Sequence, residues 1–323
     1  MTKKIILASL FLLCMIQICR FGLVNLEYIY SCSWNECGGF KDLYIVAHED
    51  DDLLFMNPDI YENIRNGHAV ETIYVTAGDK RKPPEYWMAR EAGARDAYAY
   101  MTGVRNRWIH EALKIGDKKI VRFILKDRPR IGLVFLRLPD GIDIRKGEVT
   151  LQTIFQYDQV IIASKDQANI YRQAELTKVL TILTEEFEPS TFSYIYPGNH
   201  VDHFFVAKFA QWVESRYHKP HTVYRYRDYG ISRVPVNLSD FDTYLKWTIA
   251  AIYGKHDEYF PKFGHEKNYP RYFQWCRRQY YYPGWFFHDV IPFQPVNPFP
   301  ALPIRYPATD INIQTAFLNG TAD

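Results

Sequence analysis

A chain of 323 residues is long enough to bury a sizeable core, as one large domain or two small ones. A formal net charge of only +2 excludes the broad basic field of a protein whose main partner is nucleic acid. Hydrophobic content of 47% beside 24% charged residues is that of an ordinary folded globular protein. The 25 Tyr, 21 Phe and 7 Trp would suit a carbohydrate partner, because aromatic faces stack on sugar rings, although core filling accounts for most of them.

Lys3 and Lys4 precede an apolar run from Ile5 to Ile18, closed by Cys19 and Arg20. This is the pattern of a targeting segment, with an h-region shorter than the roughly 20 residues of a membrane span. No small-x-small cleavage site follows, so residues 1–24 read as a cleaved signal peptide or as an uncleaved signal anchor extended by Phe21 to Val24. Either form places the body of the protein across the membrane, secreted or anchored with the catalytic part on the extracytoplasmic or lumenal side. Residues 25–41 form a short linker, where Cys32 and Cys37 are spaced to close a small disulfide loop in an oxidising compartment. A zinc knuckle fits poorly there, since no second Cys/His pair lies nearby. Cys276 is the odd thiol, a residue type more often buried than reactive. Asn237-Leu238-Ser239 and Asn319-Gly320-Thr321 are sequons, of consequence only on a eukaryotic secretory route.

Asp42 to Ala47 reads as a short buried strand that stops at the charged run His48-Glu49-Asp50-Asp51-Asp52. A helix covers Asp59 to Arg65, and a second strand runs from Val70 to Val75 into Thr76-Ala77-Gly78-Asp79. Glu85 to Met101 is Ala-rich and free of Pro, which predicts a long helix. Lys119 to Leu125 and Gly132 to Leu138 read as strands, split by a turn near Asp127-Arg128-Pro129. Gln167 to Phe187 has helical spacing, with Leu176, Val179, Leu180 and Leu183 on one face. Phe192 to Tyr196 is another strand, leading into Asn199-His200-Val201-Asp202-His203 and then a helix from Phe204 to Arg216. The alternation predicts an α/β sandwich with a mostly parallel sheet, in which sites form at the carboxyl ends of strands. The expected domain spans residues 42–259, and residues 260–323 form an aromatic and Pro-rich extension packed on it.

Consecutive acidic side chains at a buried strand end repel one another unless a cation or water sits among them. If the loop begins a helical turn, His48 and Asp51 face the same way and can meet a metal, with Asp50 beside it. A solvated acidic loop capping the next helix is the bland alternative. Two His three apart in the second cluster supply one ligand and one neighbour, though a pair of surface histidines would look the same. Taken together, the clusters supply two His and one carboxylate, the three-ligand pattern of a catalytic zinc site with an open position.

His48-Glu49-Asp50-Asp51-Asp52 resembles the Ala-His-Pro-Asp-Asp-Glu signature of the PIG-L/LmbE-like deacetylases, and His200-Val201-Asp202-His203 resembles that family's later His-x-Asp-His motif. Thr76-Ala77-Gly78-Asp79, Arg90-Glu91 and Leu138-Pro139-Asp140-Gly141 add to the likeness, which spans about Asp42 to His256. The resemblance implies a Rossmann-like three-layer sandwich and zinc-dependent removal of an N-acetyl group, usually from a glucosamine unit. It makes His48, Asp51 and His203 the Zn2+ ligands and Asp50 the general base. His200 would stabilise the oxyanion or protonate the leaving amine, and Asp202 would orient a neighbouring histidine through its other nitrogen. Glu49 stands where the family has Pro, and Asp52 where it has Glu; neither change removes a ligand.

Arg90, Glu91 and Arg95 read by default as surface ion pairs and Asp140 as a turn residue. Packing roles are expected for Tyr226, Lys246, Tyr253 and His256. The expected partner is an acetylated sugar or glycoconjugate, with no nucleic acid, and the N-terminal apolar segment leaves membrane association open. Two alternatives keep their place: a zinc amidase acting on a non-sugar amide, and a glycan-binding protein without catalysis. A nucleotide-binding Rossmann protein is disfavoured, because no Gly-x-Gly-x-x-Gly follows the first strand.

Overall fold

The computed structural model describes residues 38–141, 149–195, 200–261 and 269–283. The expected N-terminal targeting segment, the Cys32 and Cys37 pair and the chain beyond 283 lie outside these described residues. The chain runs from β1 (Lys41–Val46) through α1 (Asp51–Phe55), α2 (Asp59–Arg65), β2 (Ala69–Thr76) and α3 (Pro84–Thr102). Three strands follow: β3 (Trp108–Ile115), β4 (Lys118–Leu125) and β5 (Ile131–Leu138). Next come α4 (Leu151–Gln156), the short pair β6 (Ile162–Ala163) and β7 (Ile170–Tyr171), and α5 (Gln173–Phe187). Then β8 (Thr191–Ile195), α6 (Val201–Glu214) and β9 (Thr222–Tyr226) lead to a 3-10 turn (Tyr229–Arg233). The last elements are α7 (Asp240–Gly254), α8 (Tyr269–Cys276) and β10 (Tyr281–Pro283).

β1 lies inside an eight-stranded sheet of order β10-β9-β8-β1-β2-β5-β4-β3. Both of its faces are apolar, which suits a strand covered on two sides. Leu43 and Ile45 join one buried cluster with α4, α5 and α6, whereas Tyr44 and Val46 join another with α1, α2, α3, α7 and α8. Successive side chains of a strand point to opposite faces, so this split sorts the helices into two layers around the sheet. The result is the expected three-layer α/β sandwich. β9, β8, β1, β2 and β5 are parallel, while β4, β3 and β10 are antiparallel additions at the edges. The chain passes from β1 to β2 on one side and returns to β8 on the other, which puts the switch in strand order at β1.

Three departures from the sequence expectations have local causes. The helix expected from Gln167 begins at Gln173, because Ser164, Asp166 and Asn169 bond one another and hold residues 164–169 in a turn. The helix expected from Phe204 begins at Val201, with His200 as its N-cap, so Asp202 and His203 stand in its first turn. β3 was not foreseen: it pairs only with β4, and its residues include the exposed His110 and Lys114 and the half-buried Glu111. Charges of this kind blunt an edge strand against pairing with other chains. Among the described residues no helix is long and apolar enough to cross a membrane.

Glu71 on β2 is 1% exposed, and burial pushes its carboxyl up to about 7 while Arg122 pulls the other way. A carboxyl whose pKa is higher in the fold than in the open chain favours folding below the ordinary Glu range and loses that contribution as pH rises through 7. Glu71→Gln should therefore stabilise the protein by about 1–3 kcal/mol at pH 8 and change little at pH 4, read from urea midpoints. Equal effects at both pH values would contradict this.

Candidate metal centre

The carboxyl ends of the five parallel strands deliver the polar residues of one site. Just beyond β1 stands His48, whose backbone N–H donates to Asp51 Oδ2 at 2.7 Å and turns the chain into α1. Asp51 Oδ2 also lies 3.2 Å from His48 Nδ1. His203, from the first turn of α6 behind β8, brings its Nε2 to 2.9 Å from Asp51 Oδ1 and 3.3 Å from His48 Nδ1. Donors bonded at about 2.0–2.1 Å to a tetrahedral ion stand roughly 3.3 Å apart, so these three side chains fit a metal of zinc's size. Ligand atoms of His48, His200 and His203, and of His48, Asp140, His200 and Asp202, also lie within 4.8 Å of one another. The set containing Asp51 is the tighter one.

The remaining ring nitrogens are held from behind. His48 Nε2 lies 3.3 Å from Asp202 Oδ2, and His203 Nδ1 lies 3.0 Å from Asp228 Oδ2. Such partners fix the tautomer and orientation of a ligating imidazole. Asp202 Oδ2 further accepts from the Gly141 N–H at 2.9 Å, tying the end of β5 to α6. Asp228, just beyond β9, was missed in the sequence. Its one signal was a carboxylate at the end of a strand that had itself gone unnoticed.

The electrostatics favour positive charge at this point. Burial opposes protonation of His48, but Asp51 and Asp202 raise it well above the ordinary range. His203 is likewise resisted by burial and lifted by Asp51 and Asp228 to about 9. Burial would raise Asp51, yet the two imidazoles hold it well below the usual carboxylate range. His200 behaves differently. Burial and the neighbouring His48 and His203 push it down to about 3, so it is neutral. Its Nδ1 accepts from the Asp202 N–H at 3.2 Å, which leaves the proton on Nε2. In that state His200 offers a neutral N–H donor.

Asp50 meets Arg90, with Oδ1 at 2.7 Å from Nη2. Arg90 is 2% exposed, not a surface ion pair. Its Nη1 donates to Gly78 O and its Nε to Tyr253 OH, each at 2.6 Å. Glu49 Oε2 and Asp257 Oδ2 each lie 3.4 Å from its Nε. Gly78 has φ +49, and a Cβ there would overlap the Arg90 guanidinium, so the position requires glycine. Burial raises Asp50, Arg90 lowers it, and Asp51 and Asp257 raise it further; the balance lies above the ordinary value. Glu49 is fully buried, and burial lifts it to about 8 against the pull of Arg90.

Other foreseen residues take structural places. Glu91 is buried on Arg137 at 2.7 Å, and Arg95 lies 4.3 Å from the Phe123 ring. Asp52 accepts from Tyr74 OH at 2.8 Å and Tyr98 OH at 2.7 Å, which anchors α1 to β2 and α3. Asp140 does more than make a turn: it is buried beside Asp202, and burial followed by that neighbour pushes it to about 7. Tyr226 donates to Asp59, Lys246 to Arg278 O, and His256 sits on Asp96. Cys276 is a buried free thiol.

The family described as PIG-L, GlcNAc-PI de-N-acetylase, matches residues 43–213, more than half of the chain and the whole span from β1 to α6. The chain belongs to the PIG-L family. No curated protein matches it at a significant level. Among solved structures, N,N'-diacetylchitobiose deacetylase from Pyrococcus horikoshii shares 16% identity over 72% of this chain and 75% of its own, with a TM-score of 0.46. GalB, the 4-carboxy-2-hydroxymuconate hydratase of Pseudomonas putida, shares 12% over 72% and 83%, with a TM-score of 0.40. A deacetylase triple mutant of the teicoplanin biosynthetic pathway shares 14% over 72% and 89%, with a TM-score of 0.43. Two of these are deacetylases and one is a hydratase, so likeness at this level does not select a reaction.

In this PIG-L chain Arg90 is the shared counter-charge of buried carboxylates. Arg90→Gln should cost about 3–5 kcal/mol in denaturant unfolding, the range for removing one partner of a buried ion pair. Tyr253→Phe, which removes one neutral acceptor, should cost about 1 kcal/mol. A loss below 1 kcal/mol for Arg90→Gln would show that the carboxylates carry no charge in the fold.

Proposed function

We propose that this protein is a zinc-dependent de-N-acetylase acting on an N-acetylglucosamine unit of a glycan or glycoconjugate. The observation that carries this is the convergence of His48 Nδ1, Asp51 and His203 Nε2 within 2.9–3.3 Å, from strands adjacent in the sheet. The family match supports the reaction class, and the donor set of two imidazoles and one carboxylate supports zinc with an open position. His48, Asp51 and His203 hold the metal, while Asp202 and Asp228 keep the two rings aligned. Zinc bound there supplies Lewis-acid polarisation of the amide carbonyl and lowers the pKa of water toward neutrality.

The chain's own groups do the proton work. Asp50 accepts a proton from the attacking water, and its raised pKa brings it closer to working pH than an ordinary aspartate. Arg90 holds that carboxylate in one rotamer. Water's oxygen bonds to the acetyl carbon, the C–N bond breaks, and the proton held by Asp50 passes to the departing amine. His200, with its proton on Nε2, donates a hydrogen bond to the carbonyl oxygen as charge develops on it. The apolar run from Ile5 to Ile18 behind Lys3 and Lys4, read as a targeting segment, supports a location on the extracytoplasmic or lumenal side, secreted or anchored.

The test is acetate release from a panel of N-acetylated sugars and non-sugar amides, with metal content measured on the same preparation. About one zinc per chain is expected, with chelation abolishing release and zinc restoring it. Tight glycan binding without release would establish a binding protein instead. Asp50→Asn should keep the metal and lower turnover by about 100- to 10,000-fold. Asp228→Asn should weaken metal affinity by about 10- to 100-fold, read by competition with a chromogenic chelator. Because Asp50 is raised above its ordinary value, turnover should fall on the acid side at a higher pH than an ordinary aspartate would give; an acid limb no higher than that would remove Asp50 from the role of base.

A further inference from the structure

One wall of the metal centre comes from the 3-10 turn and α8, both beyond the residues 43–213 that match the family. Tyr229 opens that turn directly after Asp228, and its ring centroid lies 5.2 Å from that of His203 and 6.4 Å from that of His200. Trp275 of α8 stands 5.0 Å from Tyr229 and 5.7 Å from Phe55 of α1, and Tyr272 lies 4.8 Å from Trp275. The Arg271 guanidinium carbon sits over two of these rings, 5.2 Å from the Trp275 centroid and 6.0 Å from that of Tyr229. Trp275 is buried, Tyr229 and Tyr272 are half-buried, and Arg271 is exposed.

These contacts fix the guanidinium without using its N–H groups: Arg271 makes no ion pair or hydrogen bond among the described residues. The hydroxyls of Tyr229 and Tyr272 likewise have no hydrogen-bond partner among the described residues. Burial raises the Tyr272 hydroxyl, and Asp50 and Asp257 raise it further, so it stands near the base and keeps its proton. Both of those carboxylates are already engaged by Arg90. The bland account is that Arg271 only covers the Trp275 face, as arginine side chains do on apolar surface. That account leaves three donors, one of them charged, on one wall of a hydrolytic centre with nothing to bind. A guanidinium held on aromatic faces is a preorganised fork, and it matches the paired oxygens of a carboxylate or phosphate. It stands one aromatic ring further from the metal donors than Tyr229, where a neighbouring unit of a bound sugar would lie.

We propose that Arg271 is a specificity-determining residue, taking an anionic group, carboxylate or phosphate, on the unit next to the N-acetylated sugar. The inference rests on the deacetylase reading for the reaction, but binding can be measured without turnover. The zinc-loaded full chain is given N,N'-diacetylchitobiose, a uronate-linked N-acetylglucosamine disaccharide and N-acetylglucosamine 1-phosphate. Acetate release supplies kcat and KM, and calorimetry on the Asp50→Asn protein supplies Kd. At least one anionic substrate should show a KM and a Kd about tenfold below those of the neutral one. Arg271→Gln should erase that preference and Arg271→Lys should keep part of it, with the loss carried by KM. Salt should shrink the preference in the wild type. Arg271 is exposed, so both variants should keep the wild-type melting temperature. A preference confined to the uronate identifies a carboxylate as the ligand, and one confined to the sugar phosphate identifies a phosphate. Equal affinity for neutral and anionic sugars, or a preference that survives Arg271→Gln, would overturn the role of Arg271. Acetate release from none of the three would count against the deacetylase reading alone, and the calorimetric preference would still decide the role of Arg271.

Discussion

Buried carboxylates set the terms for everything near the end of β1. Two unit charges about 4 Å apart interact by roughly 4 kcal/mol at the effective dielectric of a protein, so acidic groups cannot gather there unanswered. The fold answers them in three ways. Asp51 is held ionised by two imidazoles, and Asp257 and Asp50 meet Arg90. Asp52 accepts two tyrosine hydroxyls. Glu49 and Asp140, with values near 8 and 7, hold their protons around neutral pH. The acidic run is thus sorted into an imidazole-paired carboxylate, an arginine-paired carboxylate and neutral fillers by what each residue faces, although the residues are neighbours in sequence.

The same sheet separates charge along its strands. Imidazoles and carboxylates collect at the carboxyl ends of β1, β2, β5, β8 and β9, while guanidiniums collect at the amino ends around Arg128 and Arg130. Parallel strands make this separation available, because all of their outgoing loops lie at one end and all of their incoming loops at the other. Substitutions in one set leave the other intact, and the two ends can be examined independently.

Much of this was legible from residue order. β1, β2, α3 and β5 announce themselves as apolar or Ala-rich runs, and the two His clusters sit at strand ends. What was hidden depends on distant partners. Arg90 looked like a surface cation because nothing nearby in sequence reveals that Glu49, Asp50 and Asp257 converge on it. Asp140 looked like a turn residue because its neighbour Asp202 is supplied by α6. β3 carries edge-strand charges that mask its alternation, whereas α7 is capped by Ser239, whose side chain accepts from the Asp242 N–H, a cap that can be read in the sequence.

The two histidines that meet at 3.3 Å are 155 positions apart. During synthesis at about 5–20 residues per second, some ten to thirty seconds separate the emergence of His48 from that of His203. Throughout that interval β1 lacks the neighbour that will lie along one of its edges, and an apolar strand with an open edge invites pairing with other chains. The acidic loop behind it also waits for the imidazole of His203. The centre therefore cannot assemble until its second half has been made, and the same stretch of chain then covers the open edge of β1.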